Sequence, residues 1–330
     1  MALNAILTGL VRKPAADGTR LRKLAIGVLA AAFLAAAASV AALEPKLLAN
    51  ERAFAFSARG IDGVTGIQRA HVPRCRIRQP GGVEAGVIRI DKDQKITIAN
   101  ASAQSLLGFI LTDSYNMVRG FGYQGSETTA SDTTWEQPWG ERKSVHNHYN
   151  ELLVRFKQPA YLQREMNIRF RVFDNGVGFR YELPDQPNLK TMRIADEVTE
   201  FDVAQPGQAW WIKGGEWNRY EQVYQHTAID AVATAHTPIT MKLDDGTHLS
   251  FHEAALVDYS AMWFKRADGQ KFRATLSPSS RGPRVVRDTP FSTPWRTIRI
   301  ADNAAGLVEN DLELNLNEPN KIGEISWFKP

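Results

Sequence analysis

Cysteine is almost missing from this 330-residue sequence, which contains Cys75 alone. One cysteine cannot form an intramolecular disulfide, and it cannot supply the several thiolates of a cysteine-based zinc or iron–sulfur site. The chain must therefore be stabilised by a hydrophobic core instead of covalent cross-links. Its length is sufficient to bury a sizeable core, in one large β domain or two ordinary domains.

Long stretches of helical period are also scarce after the first 43 residues. That part of the sequence has no Gly-x-Ser-x-Gly elbow, no phosphate loop and no dinucleotide fingerprint. These absences argue against the nucleotide-binding α/β folds and against hydrolases with a serine elbow. Carboxylates are plentiful, but no spacing singles out one pair as a catalytic acid and a nucleophile.

Positive charge in excess of negative charge is confined to the N-terminus. Five basic residues precede an apolar, alanine-rich run at 24–43, which is typical of a cleavable export signal over residues 1–42. The run is long enough to span a bilayer, so an uncleaved anchor is the alternative, although the small residues at its end favour cleavage. We expect a periplasmic or secreted protein that has no membrane contact once the signal is removed.

The leader holds five of the 40 Lys and Arg residues and one of the 36 Asp and Glu residues, which leaves 35 of each sign in the remainder. The formal charge of +4 thus belongs to the leader. Because no net positive charge remains to attract a polyanion, the sequence predicts no nucleic-acid partner.

Short alternating runs of apolar and polar residues dominate the sequence from residue 106 onward. They are separated by turn signals at Asp174-Asn175-Gly176, at Asp244-Asp245-Gly246 and at residues 266–269. The predicted strands are 151–156, 167–173, 178–183, 239–243, 248–252, 262–265, 296–300 and 312–316. Such spacing predicts an all-β fold, a large antiparallel β-sandwich, over residues 106–330. Residues 43–105 are less readable and give two strands, at 87–90 and 96–98.

The most unusual stretch is 209–224, where Trp210, Trp211, Trp217, Glu216 and Glu221 occur with two adjacent glycines. Neither an amphipathic helix nor a plain strand has this composition, so we expect a loop built for a site. Aromatic faces suit sugar rings or an apolar interface, and carboxylates suit a hard cation. An equally open interpretation is that the tryptophans fill a sandwich core and the acids are solvated.

Two histidine-containing segments are candidates for catalysis or metal binding. His146 and His148 are two residues apart and would share one face of a strand, but we favour a hydrogen-bonding role over a shared metal because no third ligand is identifiable. His252 and Glu253 are adjacent, so on a strand they would point to opposite faces and could not act as one acid/base pair.

Several ordered blocks together resemble the N-terminal domain of glycoside hydrolase family 97. The blocks are 134–141, 147–152, 174–181, 252–259, 293–297 and 314–319, followed by 326–330. The resemblance implies a β-sandwich of the galactose-mutarotase-like type that packs against a C-terminal (β/α)8 barrel. It also implies a secreted or periplasmic α-glucosidase or α-galactosidase that uses calcium.

In this family the catalytic acids and most calcium ligands lie in the barrel, which the resemblance places after residue 330. We therefore expect no catalytic residue in this chain, and doubtful activity of the chain alone. The resemblance assigns one calcium-ligating glutamate to the N-terminal domain, at the position of Glu221. It makes Trp210, Trp211 and Trp217 residues of the sugar site or the domain interface, and we add His148 and Asn150 from the matching 147–152 block.

Two alternatives stay open on the sequence alone. The chain could be a stand-alone carbohydrate-binding module that grips a saccharide by stacking on the 209–224 stretch. It could also be a mutarotase-like sugar epimerase, which is suggested by analogy of fold. This alternative is weakened because His252 and Glu253 would point to opposite faces of a strand.

Overall fold

The computed structural model describes residues 74–78, 84–90, 96–99, 104–158, 162–203, 205–216 and 218–327. The predicted signal segment 1–42 lies outside these ranges, so it stays a prediction, as do the domain boundaries. Within the described ranges, no helix has the length and apolar character needed to cross a membrane.

The chain is built mainly of β-strands, which confirms the predicted fold class. In chain order, the strands are β1 (Arg74–Arg78), β2 (Glu84–Ile90), β3 (Ile96–Ala99), β4 (Gln104–Leu107), β5 (Phe109–Leu111), β6 (Gly122–Glu136), β7 (Ser144–Lys157), β8 (Glu165–Phe173), β9 (Gly176–Leu183), β10 (Thr191–Glu197), β11 (Glu200–Asp202), β12 (Gly207–Trp211), β13 (Gln225–Ala228), β14 (Thr234–His236), β15 (Ile239–Leu243), β16 (His248–Ala254), β17 (Met262–Asp268), β18 (Lys271–Leu276), β19 (Val285–Asp288), β20 (Phe291–Ser292) and β21 (Trp295–Ala301). Within the residues that the structure describes, the helical elements are a 3-10 turn at Ile229–Ala231 and two short helices, α1 (Ala304–Val308) and α2 (Leu312–Leu316).

All strand pairs of the described residues are antiparallel. A ten-stranded sheet has the order β13-β12-β15-β16-β21-β9-β8-β7-β6, with β20 paired to β9. Two smaller sheets have the orders β11-β18-β17-β14 and β19-β10-β5, and β1 to β4 form a separate meander. The predicted strands at 87–90 and 96–98 lie in β2 and β3, whereas β1 and β4 carried no clear signal.

The alternation of residue types explains why these segments are strands. In β8 the side chains of Met166, Ile168, Phe170 and Val172 are buried, and the intervening side chains are partly exposed. One buried face per strand is what a two-layer sandwich requires. The chain then turns through residues 174–175 into β9, so the predicted hairpin is confirmed.

An aromatic core joins the ten-stranded sheet to the four-stranded sheet that contains β11. Phe251 of β16 contacts Phe201 of β11 at a ring-centroid distance of 5.7 Å and Phe264 of β17 at 4.8 Å. Phe264 in turn stacks on Phe272 of β18 at 4.6 Å. These rings are fully buried, and they fix the two sheets face to face.

The predicted strand at 312–316 is wrong, because these residues form helix α2. The sequence alternates Leu-Glu-Leu-Asn-Leu, which suggests a strand, but Leu312 and Leu316 are also four residues apart and therefore share one face of a helix. That face, together with Asn315, is buried on the outer side of the large sheet, while Leu314 is 40% exposed. Gly178 permits this contact, since a Cβ there would lie 2.4 Å from Leu316 Cδ1.

The inner face of the large sheet carries a buried charged cluster centred on Arg296. Its guanidinium binds Glu253, the cross-strand neighbour on β16, at 2.5 Å, and it binds Glu197 of β10 at 2.6 and 3.1 Å. The backbone N–H of Met262 on β17 donates to Glu253 at 3.0 Å, and the hydroxyl of Thr199 donates to Glu197. This cluster, called the Arg296 cluster below, therefore connects strands of three sheets.

Electrostatics keep the cluster charged despite its burial. Burial by itself lowers the pKa of Arg296, but the negative charges of Glu197 and Glu253 outweigh this effect and raise the pKa above its ordinary value. Every carboxylate oxygen of the two glutamates accepts a hydrogen bond. A buried ion cluster with satisfied partners is tolerated, but the loss of one member leaves an uncompensated charge.

Replacing Arg296 with glutamine is expected to lower the free energy of unfolding by about 3–5 kcal/mol, because two buried carboxylates lose their cation. The matched control is Arg155→Gln, which breaks an exposed pair with Glu127 and is expected to cost less than about 1 kcal/mol. Urea denaturation of the two variants measures the difference. Equal losses would mean that the cluster does not stabilise the sandwich.

Candidate functional site

The 209–224 stretch begins as a strand and not as a loop. Residues 209–211 complete β12, which pairs with β15 on one side and with β13 on the other. Trp211 faces the main core, is 5% exposed and donates from Nε1 to Thr227 Oγ1 at 3.1 Å. Its assignment to a sugar site is corrected on this ground: strand alternation turns it inward, as the core-filling interpretation had it.

The neighbouring Trp210 points the other way and is partly buried. Its ring stacks on the exposed His226 of β13 with centroids 4.5 Å apart and ring planes 8° apart. Trp210 and His226 therefore form an aromatic pair at the edge of the large sheet. Trp217 lies outside the described residues, so its role stays a prediction.

After β12, the chain forms backbone hydrogen bonds with β14 of the opposite layer before the exposed loop begins. The N–H of His236 donates to Ile212 O at 3.1 Å, and the N–H of Gly214 donates to Thr234 O at 3.0 Å. A Cβ at Gly214 would lie 2.9 Å from the carbonyl carbon of Ala235, so only glycine allows this approach. Gly215, at a φ of +105°, then turns the chain outward.

The outer part of the stretch carries two carboxylates, Glu216 and Glu221, that lie in different surroundings. Glu216 lies 3.9 Å from Lys213 Nζ and so has a partial counter-charge. Glu221 is exposed, and among the described residues it makes no hydrogen bond or ion pair. The structure thus distinguishes two acids that composition alone could not separate.

A single exposed carboxylate fits the donor preference of a hard cation such as calcium, but not its need for about six to eight oxygen ligands. Across the described ranges, no group of three or more His, Cys, Asp or Glu side chains is arranged to hold a metal ion. Glu221 therefore suits a site shared with another domain and does not suit a self-contained one.

His148 and Asn150 lie far from the aromatic stretch. Both are on β7, which is six strands from β12 in the same sheet, or roughly 29 Å along the sheet at about 4.8 Å per strand. His148 Nδ1 is 2.9 Å from Asp174 Oδ2, and His146 Nε2 is 2.6 Å from Asp132 Oδ1. The two imidazoles therefore have the hydrogen-bonding role favoured from the sequence, and they do not join the 209–224 stretch in one site.

The structure confirms that His252 and Glu253 point to opposite faces of β16. Glu253 is directed inward to the Arg296 cluster, whereas His252 lies on the outer face opposite Thr297 of β21, near Glu313 of α2. Glu253 is already bound by an arginine, so the two residues do not form an acid/base pair. This geometry agrees with the argument from sequence against an epimerase that would use this pair.

Sequence reasoning missed the residues beneath the loop. His236 is 5% exposed and lies between Tyr220, whose ring centroid is 4.3 Å away, and Trp263, which contacts it edge-on at 6.1 Å. Tyr220 lies in the loop, while His236 and Trp263 belong to β14 and β17. No local spacing could have revealed this group, because the loop that carries Tyr220 meets two paired strands, β14 and β17, of the four-stranded sheet.

The comparisons with known proteins identify one family. Residues 88–319 match the family model described as Glycosyl-hydrolase 97 N-terminal. Among solved structures, the chain is similar to a glycoside hydrolase family 97 enzyme from Pseudoalteromonas sp. strain K8, determined in complexes with panose and with acarbose. The identity is 41%, the TM-score is 0.72, and the match covers 78% of this chain and 40% of that one.

Two curated relatives are more distant. A retaining alpha-galactosidase of Bacteroides thetaiotaomicron is 20% identical over 62% of this chain and 35% of its own length. A probable retaining alpha-galactosidase of Streptomyces bingchenggensis is 24% identical over 67% of this chain and 33% of its own length. The chain thus spans 33% to 40% of the length of these relatives.

Acidification is expected to lower the free energy of unfolding partly through His236. Burial lowers the pKa of His236 below its ordinary value near 6.5, and the nearby carbonyl of Arg219 partly opposes this. As the pH falls through 6.5, the unfolded chain binds the proton first, so stability decreases by at most about 1.4 kcal/mol per pH unit for this residue.

The measurement is urea denaturation between pH 7.5 and 5 for wild type and His236→Gln, at steps of about half a pH unit. The variant should have a shallower pH dependence, although His252, whose pKa burial also lowers, leaves a residual slope of the same sign. An unchanged slope in His236→Gln would contradict the assignment.

Proposed function

The chain belongs to the N-terminal domain family of glycoside hydrolase family 97, and from this premise we propose that it is the non-catalytic β-sandwich domain of an α-glycosidase. The observation that carries the proposal is the family match over residues 88–319, joined to a sandwich that leaves Glu216 and Glu221 exposed. The catalytic acids are assigned to a (β/α)8 barrel, the partner that the family resemblance implies. A periplasmic or secreted location, inferred from the leader, is part of the proposal.

Calcium is the cofactor we propose, with Glu221 as one ligand and the other ligands supplied by the barrel. The exposure of Glu221 and the absence of a protein counter-charge among the described residues support this role over Glu216, which has Lys213 beside it. Bound calcium would supply positive charge and fixed coordination next to the sugar. Glu221 would orient that charge from the sandwich side of the interface.

The substrate class we propose is an α-linked glucose oligosaccharide. The 41%-identical relative has been determined with panose and acarbose, whereas the alpha-galactosidases are 20–24% identical. Trp210, stacked on His226 at the edge of the large sheet, supplies aromatic surface of the kind that packs on sugar rings. Trp211 is omitted because it is buried, and His148 and Asn150 are assigned to a separate surface.

Removal of the Glu221 carboxylate is expected to abolish metal binding by this loop. Terbium(III) serves as the probe, because it prefers the same oxygen ligands as calcium and its emission is sensitised by nearby tyrosines such as Tyr220 and Tyr224. Wild type should show weak, saturable emission with a midpoint in the millimolar range, since one protein carboxylate is available. Glu221→Gln should lose this emission, and the matched Glu216→Gln should retain it.

Two results would contradict the ligand assignment. The first is equal emission from wild type and Glu221→Gln. The second is a loss in Glu216→Gln that equals the loss in Glu221→Gln. Competition with calcium should reduce the wild-type signal, which establishes that the probe reports the calcium site.

Saccharide binding is expected to change tryptophan fluorescence through Trp210. Titration with panose should give a saturable change at millimolar sugar, and galacto-oligosaccharides should give a smaller one. Trp210→Ala should remove the response, whereas Trp139→Ala, which alters a tryptophan in the loop between β6 and β7, should keep it. No response from wild type at millimolar sugar would argue against a sugar-facing role for this domain on its own.

A further inference from the structure

Tyr220 closes the loop that carries Glu221. The first half of the loop is fastened at Gly214, and a turn follows in which the Arg219 N–H donates to Glu216 O at 3.3 Å. Tyr220 then returns to the protein surface, and its hydroxyl donates to the backbone carbonyl of Thr237 at 2.6 Å. Glu221 is the first residue after this second attachment, so its backbone position is set by where Tyr220 is held.

The surface that receives Tyr220 is formed by buried side chains. The Tyr220 ring packs on His236 at 4.3 Å with an interplanar angle of 41°. His236 is supported from the other side by Trp263, and Thr237 is 5% exposed and bonded to Met262 O at 3.4 Å. The same Met262 donates its N–H to Glu253, so the receiving surface is continuous with the Arg296 cluster.

Of the two tyrosines in the loop, Tyr220 makes the contact with His236 and Thr237, and Tyr224 does not. Tyr224 is four residues further along and is 67% exposed, and within the described part of the chain its hydroxyl makes no hydrogen bond. Tyr220 is 52% exposed, yet it places its hydroxyl on a backbone carbonyl and its ring on an imidazole. Two tyrosines of one loop thus differ in whether they are attached.

We propose that Tyr220, seated on His236 and bonded to Thr237, is a positioning residue that presents the Glu221 carboxylate in one place for a hard divalent cation. The metal part of this inference rests on the function proposed above. This attachment, called the Tyr220 latch below, acts by limiting the conformations in which residues 218–224 detach from the protein surface. The apparent metal affinity is the intrinsic affinity multiplied by the fraction of molecules in which the ligand is correctly placed, so loosening the latch weakens binding without removing a ligand.

Hydrogen exchange of the full chain tests the latch without any metal. Peptides spanning 213–224 are followed by mass spectrometry in wild type, Tyr220→Phe and Tyr220→Ala. Loss of the hydroxyl in Tyr220→Phe should accelerate exchange about 2–10-fold, which corresponds to one hydrogen bond. Tyr220→Ala also removes the ring contact and should accelerate exchange about tenfold or more.

Matched variants separate the latch from general loosening of the fold. Tyr224→Ala should leave the exchange of 213–224 unchanged, because Tyr224 is not attached. His236→Ala should mimic Tyr220→Ala, whereas His236→Phe should restore protection by keeping an aromatic surface beneath Tyr220. Peptides from β8 and β9 should be unaffected in all variants. Unchanged exchange in Tyr220→Ala, or acceleration in Tyr224→Ala equal to that in Tyr220→Ala, would overturn the latch.

Terbium(III) titration of the same variants tests the metal part. Tyr220→Phe should raise the titration midpoint about 2–10-fold while the emission remains saturable, because Glu221 is still present. If Tyr220→Phe accelerates exchange but leaves the midpoint unchanged, the positioning role is overturned. If Glu221→Gln has the wild-type terbium signal, the proposed function fails, whereas the exchange results still decide whether the latch exists.

Discussion

The Arg296 cluster is the interaction on which the sandwich most depends. Arg296 is fully buried and cannot lose its proton, so its environment must supply negative charge and hydrogen-bond acceptors. Glu253 from the neighbouring strand and Glu197 from β10 meet this requirement, and Met262 and Thr199 satisfy the remaining oxygens. The aromatic core holds two of the layers face to face, and this cluster adds directional bonds that require strands of three sheets to meet in one arrangement.

The candidate site takes its geometry from the same region. β12 ends on the large sheet, but the segment after it pairs with β14 of the opposite layer through Lys213 and Ala235. The loop therefore starts from one sheet and is received by another, and the receiving surface contacts Met262, which also binds Glu253. A side chain carried by such a loop is positioned by the packing of the sandwich, although the side chain itself is exposed.

The class of fold could be predicted from sequence because its signals are local. The turn at Asp174 and Asn175, six strands of the large sheet (β7, β8, β9, β15, β16 and β21) and the opposite directions of His252 and Glu253 follow from a side-chain period of two and from turn chemistry. Helix α2 shows the limit of this reasoning. A pattern of leucines two residues apart also places leucines four apart, and the pattern alone cannot choose between a strand and a helix.

The candidate site was only partly predictable for a similar reason. The sequence marked 209–224 as unusual, and the family resemblance selected Glu221, but adjacent tryptophans on a strand cannot share one environment. Trp211 therefore enters the core while Trp210 stacks at the edge. His148 and Asn150 lie six strands from the tryptophans of β12, a separation that linear sequence does not reveal because strand order in a sheet is not visible in it.

By itself the sequence determined the class of fold, its turns, the absence of covalent cross-links and the stretch in which a site would lie, because each depends on residues near one another in the chain. The tertiary structure alone decided which acid has a lysine beside it, which tryptophan is buried in the core, and that Tyr220 rests on His236 and Thr237. Those outcomes depend on contacts between sheets, where residues distant in sequence compete for the same buried volume and the same hydrogen-bond partners. Local patterns carry no information about that competition.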